Sequence, residues 1–270
     1  MIYQKYQPSV ALLPYVMCYY VWEHQEQLAI SIEVNSPPNG LGGMVFNYGE
    51  PYQVSNEKGE WGPVPRSFIA GQFTKNYSLR LSRQFGMFGA AFWPAGLSHL
   101  LGIPMKAFSD YRTNLNLVLG KEAAPLEHQM LESRTSQQRI AVLERFLICK
   151  LCNSNHQQDM VDNALGTIVL HNGILSISKL SEELCLSPRQ FRRRFTEKVG
   201  VSPKLFSRIK RFNYISNLLT TSSGIWMDLV HEGGYYDQAH FIRDFCDFSG
   251  RKPSEFVNYT RALSALLGAS

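Results

Sequence analysis

The strongest constraint in this sequence is a repeat with a fixed offset. Phe191-x-Arg193-x-Phe195 returns as Phe241-x-Arg243-x-Phe245. Gly200 returns as Gly250, Pro203 as Pro253 and Phe206 as Phe256. Ser187 has its counterpart in Asp237, each just ahead of a helical run. All seven pairs lie 50 residues apart. Internal repetition at one period means one supersecondary unit built twice.

The residues specify what that unit is. In the first copy, Ile177, Leu180 and Leu184 share one face of a short helix, and Cys185-Leu186 makes a tight turn. Ser187 suits an N-cap, Pro188 the first helical position, and Gln190 the capping-box position. The spacing predicts a second helix over about 188–199, ended by Gly200 in a left-handed conformation. Phe191 and Phe195 fall on its buried side. Arg189, Arg192 and Arg193 fall on its outer side, and Arg194 reads as a surface residue.

In the second copy, Trp226, Met227 and Val230 supply the first apolar face and Gly233-Gly234 the turn. Asp237 caps a helix over about 237–248. Gln238, Ala239, Ile242 and Arg243 are expected on its outer side. Between the copies, Phe206, Ile209, Phe212, Ile215 and Leu219 predict a stiff connecting helix.

Two short helices around a tight turn, the second polar outward, describe a helix-turn-helix. Its second helix can enter the major groove, where arginine pairs with guanine and glutamine with adenine. The charge distribution agrees. Residues 160–262 hold 14 Lys/Arg against 10 Asp/Glu, and the rest of the chain holds 13 against 12. A polyanionic partner for the C-terminal part follows.

These residues resemble the AraC-type regulator family over about 162–262. The resemblance is carried by Ser187-Pro188-Arg189-x-Phe191-x-Arg193-x-Phe195, Gly200-Val201-Ser202-Pro203 and Arg211. Gly234-Tyr235-x-Asp237-Gln238-x-x-Phe241-x-Arg243-x-Phe245 and Gly250-Arg251-Lys252-Pro253-Ser254-x-Phe256 complete it. It implies base contacts from Arg189, Gln190 and Arg193, and from Gln238, Ala239, Ile242 and Arg243, and the basic outer helix face adds Arg192 as a DNA contact. Three positions depart from the family pattern: Cys185 replaces the usual turn glycine, Val230 a small alanine, and Ala239 a frequent serine.

Residues 1 to about 110 read as β-rich. Met44–Tyr48, Ser67–Phe73 and Phe85–Trp93 are aromatic and branched runs. Ser36–Gly40 and Gly59–Pro65 are turn-rich. Helical periodicity takes over from about Asn114 to Cys152, and Asn153–Gln158 is a polar linker. The expected fold is α+β in two domains: a sandwich or barrel-like N-terminal domain with helices, then an all-α domain of two helix-turn-helix motifs joined by a linker helix. The boundaries are 1–113 for a sensing domain, 114–158 for helical coupling or dimerisation, and 159–262 for DNA binding. Leu13-Pro14-Tyr15-Val16, Gly71-Gln72, Phe92-x-Pro94-x-Gly96 and Leu100–Pro104 resemble an uncharacterised module found ahead of such domains.

The expected protein is a cytoplasmic transcription regulator and not an enzyme, reading two adjacent major-groove segments. Double-stranded DNA, RNA polymerase, a small-molecule effector and a second copy are its expected partners, with no cofactor or metal and no membrane. Trp22, Trp61, Trp93 and Phe92 are candidates for an effector pocket, against a plain core role. No phosphate loop, nucleophile elbow or paired-carboxylate motif is present. The apolar stretch Val10–Trp22 is interrupted by Pro14 and too short for a span of about 20 residues. Five scattered cysteines fit free thiols in a reducing compartment. The competing reading is a thiol- or metal-responsive, or enzymatic, N-terminal domain. Cys149-x-x-Cys152-x-x-x-His156 supports it but is one ligand short of a closed zinc site.

Overall fold

A computed structural model describes residues 1–24, 31–55, 59–82, 84–154, 158–221 and 232–267. The N-terminal half is built in three layers. The middle layer is a six-stranded antiparallel sheet in the order β1-β2-β9-β4-β7-β10. Its strands are β1 (Ile2–Tyr6), β2 (Val16–Glu23), β4 (Gly42–Asn47), β7 (Ser67–Ala70), β9 (Gly86–Phe92) and β10 (Arg112–Asn114). A second sheet, ordered β3-β8-β5-β6, covers one face with β3 (Ile32–Ser36), β8 (Tyr77–Leu81), β5 (Gln53–Ser55) and β6 (Trp61–Pro63). Helices cover the other: α1 (Gly96–Leu101), α2 (Leu115–Leu119), α3 (Ala123–Glu132) and α4 (Ser136–Asn153).

Strand β4 shows why the middle sheet reads as a continuous apolar run. Successive side chains point to opposite faces. Met44 and Phe46 enter the core shared with the helices, and Val45 enters the core between the sheets. Burial on both faces replaces the usual in–out alternation. The helices at 115–153 give Leu115, Leu126, Met130, Leu143 and Leu147 to the same core as Tyr19, Phe88 and Phe92. The turn-rich segment 59–65 contains β6, paired with β5.

The C-terminal half is helical: α5 (Met160–Leu170), α6 (Ile177–Glu183), α7 (Pro188–Val199), α8 (Pro203–Thr221), then helices Gln238–Ser249 and Pro253–Leu267. Two apolar clusters hold it together. The first gathers Phe191, Phe195, Val199 and Phe206 with α5 and α6. The second gathers Ile209, Phe212, Ile215 and Leu219 with Phe241, Phe245 and Phe248. All five apolar residues of the predicted connecting helix are buried in α8. At about 1.5 Å per residue this helix is roughly 28 Å long, a rigid spacer between the clusters. Trp226, Met227 and Val230 lie outside the described residues, as does His156.

Candidate nucleic-acid interface

The first unit follows its sequence logic closely. Ser187 caps α7 by accepting from the Gln190 amide, and the Gln190 side chain answers to the Ser187 backbone, closing a capping box with Pro188 inside it. The turn before it is made by Cys185 in the left-handed region, at φ 52°. Its amide donates to Glu182 O at 2.9 Å, and the Leu186 amide donates to Ser181 O at 3.0 Å. The turn glycine's geometry is thus kept by a residue with a side chain.

Phe191 and Phe195 are fully buried, which turns Arg189, Gln190, Arg192, Arg193 and Arg194 to solvent. Gln190 is only partly available, because its carbonyl oxygen accepts from the Ser187 hydroxyl at 3.0 Å.

The second unit repeats the plan. Asp237 caps the helix Gln238–Ser249 by accepting from the His240 amide at 2.7 Å. Gln238, Ala239 and Arg243 are exposed. Ile242 differs from its expected outward position. It is half-buried against the second apolar cluster, because the helix face beside Phe241 and Phe245 is wide.

The helix is anchored to α8 by charge. Arg208 Nε donates to Asp244 Oδ1 at 2.9 Å, and Arg211 approaches the other carboxylate oxygen at 3.9 Å. Tyr235 packs its ring under Arg211. Burial alone would make the Arg208 guanidinium easier to deprotonate. The Asp244 and Asp247 carboxylates outweigh it and hold the cation more firmly than usual.

A cleft of about 1020 Å³ separates the two units. Arg192 reaches it from α7 and Arg243 from the helix Gln238–Ser249. Lys204, Arg208 and His240 also line it. Lys204 and His240 are exposed and were missed by sequence reasoning. Their one signal was position, each within the first turn of a helix. Arg189, Gln190, Arg193, Gln238 and Ala239 stand outside the cleft on the exposed helix faces.

The N-terminal half grips this unit at the ends of both repeated helices. Gly200, at φ 98°, lies against Ser109, Met105 and Gln72; an added Cβ would sit 3.0 Å from Ser109 Oγ. Ser109 Oγ donates to Gly200 O at 2.6 Å. Gly250, at φ 68°, lies against Asn76, whose Nδ2 would be 3.2 Å from an added Cβ. Asn35 N donates to Tyr259 Oη at 2.7 Å.

A charged cluster adds to the grip. His99 Nε2 on α1 meets Asp162 Oδ1 on α5 at 2.9 Å, and Lys198 Nζ on α7 meets Asp162 Oδ2 at 3.0 Å. Burial would raise the Asp162 carboxyl. Hydrogen bonds from His99, the Asp159 amide and Lys198 outweigh burial and hold it well below the usual carboxylate range.

Of the aromatic pocket candidates, Trp22 lines a cavity of about 530 Å³ near the inter-sheet core. Phe92 is core, Trp61 lies under the Arg80 guanidinium, and Trp93 hydrogen-bonds Leu13 O. Cys149 and Cys152 are exposed on α4. No group of three metal-ligating side chains occurs among the described residues. No helix among them is long and apolar enough to cross a membrane.

Residues 180–259 match a helix-turn-helix domain, and residues 4–114 match a domain of unknown function, DUF6597. Uncharacterized HTH-type transcriptional regulators of Staphylococcus aureus strains MSSA476 and N315 are each 26% identical over 148 residues. The match covers 52% of this chain and 20% of each relative, so the chain spans about a fifth of their length. Among solved structures, an apo ToxT from Vibrio cholerae strain SCE256 overlaps 89% of this chain and 97% of its own, at 14% identity and a TM-score of 0.47. The C-terminal domain of AraT, a response regulator from Geobacillus stearothermophilus, overlaps 37% of this chain and 85% of its own, at 21% identity and a TM-score of 0.36.

Proposed function

We propose, from a helix-turn-helix match at residues 180–259 behind a domain of unknown function at 4–114, an AraC-type transcription regulator that reads two adjacent major-groove segments. The reading helices are those at about 188–199 and 237–248. One observation carries this reading: two capped helices, 50 residues apart, hold exposed polar faces on either side of one cationic cleft. Arg189, Arg193, Gln238 and Arg243 are proposed to reach base edges, with Gln190 limited by its cap. Arg192 and Lys204 are proposed for phosphates, and Ala239 for a thymine methyl or the groove wall. Ile242 contributes the part of its side chain that the core leaves uncovered.

The N-terminal domain is proposed to sense a small effector and to pass its state through the contacts at Gly200, Gly250 and Asp162. The helices at 115–153 are proposed to join a second copy. RNA polymerase is proposed as a further partner and the cytoplasm as the place of action.

Footprinting on a bound genomic site tests the reading. Two protected major-groove segments about 34 Å apart on one DNA face are expected. A single short segment would overturn the two-unit reading. Affinity is expected to fall steeply between low and moderate salt, since phosphate contacts release counterions.

A further inference from the structure

The cavity beside the inter-sheet core has an unusual electrical character. Among the described residues it is lined by Lys5 and Arg112 and by no Asp or Glu. Arg112, on β10, is held between Phe73 and Tyr77, with its guanidinium carbon 4.4 and 4.3 Å from their ring centres. Its guanidinium meets the Tyr52 hydroxyl, but its Nη2 is buried and has no hydrogen-bond partner among the described residues. No carboxylate pairs with it among the described residues. Trp22 Nε1, in the same lining, is also buried without a partner.

Arginine cannot shed its proton in a protein, so the charge persists. Ring faces offset part of the cost of a poorly hydrated cation, and an anion offsets far more. Both unpartnered groups are donors. The site therefore lacks an acceptor that carries negative charge.

The remaining wall sets the shape of that acceptor's body. Tyr20, Tyr52, Phe68 and Leu79 present apolar surface, and a volume of about 530 Å³ suits a small molecule. Tyr52 cannot supply the missing charge: burial pushes its phenol up to about 12, even with Arg112 pulling it down.

We infer that this cavity takes a small aromatic organic anion, its charged group on Arg112 and its ring among the aromatic side chains. The inference rests on the proposal that the N-terminal domain senses an effector, and it names that effector's class.

The test uses the full chain and two fluorescent probes with nearly the same body. One is 8-anilinonaphthalene-1-sulfonate, an aromatic anion. The other is N-phenyl-1-naphthylamine, which lacks the acid group. The wild-type protein is expected to bind the anion at one site. Arg112→Gln is expected to weaken the anion at least tenfold and to move the neutral probe by less than twofold. Equal losses for both probes, or an unchanged anion, would overturn the assignment.

Arg112→Lys keeps a cation and serves if the glutamine variant fails to fold. It should weaken the anion to a lesser degree and spare the neutral probe; an unchanged anion would again count against the assignment. Gly43→Leu should exclude both probes, since Gly43 lines the cavity and a Cβ there meets only Ala70 Cβ and Ala90 O, near 3.8 Å. Anion binding that survives this plug would place the probe elsewhere and defeat the inference. Binding of the neutral probe alone to wild type would defeat the acid assignment and leave a sensing pocket. Binding of neither would defeat the sensing reading as well.

Discussion

Cys185 shows how one residue can carry the cost of a turn. A side chain in the left-handed region costs roughly 1–2 kcal/mol, which glycine avoids. Glycine also gains freedom in the unfolded chain, worth about 0.4–1 kcal/mol in the opposite direction. Cys185→Gly should therefore stabilise the protein by about 0.5 kcal/mol, read as a higher urea midpoint at unchanged slope. A lower midpoint would mean that the thiol makes a contact of greater value than the strain.

At the reading surface, Arg193→Ala should cost about 1–3 kcal/mol on a bound site and relax one base position. Equal loss on random DNA would reduce Arg193 to a phosphate contact. The positions of these side chains were legible, because caps and phenylalanines fix the helix phase. Arg112 was not legible. Its neighbours Phe73 and Tyr77 lie more than thirty residues away in sequence, and a strand of three residues leaves no periodic trace.

The elements repeat the contrast. Helices α7 and α8 were readable because their apolar residues recur at helical spacing and their ends carry Ser187, Gly200 and Pro203. The helix Gln238–Ser249 was readable from Asp237 and Gly250. Strands β3, β5 and β8 gave weaker signals, since they are short and half-buried, and their pairing joins residues 41–49 apart for β3 with β8 and 25–27 apart for β5 with β8.

The Arg208–Asp244 pair was also beyond sequence reading, although it locks the helix Gln238–Ser249 to α8. Asp244→Ala should cost about 2–3 kcal/mol, because it leaves the part-buried Arg208 and Arg211 without their shared carboxylate. Footprinting should then lose the second segment before the first. Uniform weakening of both would show that the pair stabilises the domain without orienting the helix.

On the scale of the whole molecule, the Asp162 cluster ties the two halves together and carries a pH signature. Its carboxyl titrates lower in the folded protein than in the unfolded chain. The stabilisation is therefore complete above the unfolded value of about 4 and drains away as pH falls through the folded value. Limited proteolysis with an acid-active protease should separate the two halves increasingly below about pH 4. Asp162→Asn should show that sensitivity already at neutral pH. An Asn variant as resistant as wild type would remove the cluster from the interface energetics.

Gln72 and Asn76 lie against the ends of the two repeated helices, and Phe73 and Tyr77 hold Arg112 between them. One short piece of chain therefore touches the cavity and both proposed reading heads. A displacement of it would reach both heads in phase, like one key turning two locks on a common bar. The spacing between them is set by α8, which the stretch does not control. An occupied cavity should accordingly act as a volume control. It would change how tightly a given operator is held and leave unchanged which operator is chosen.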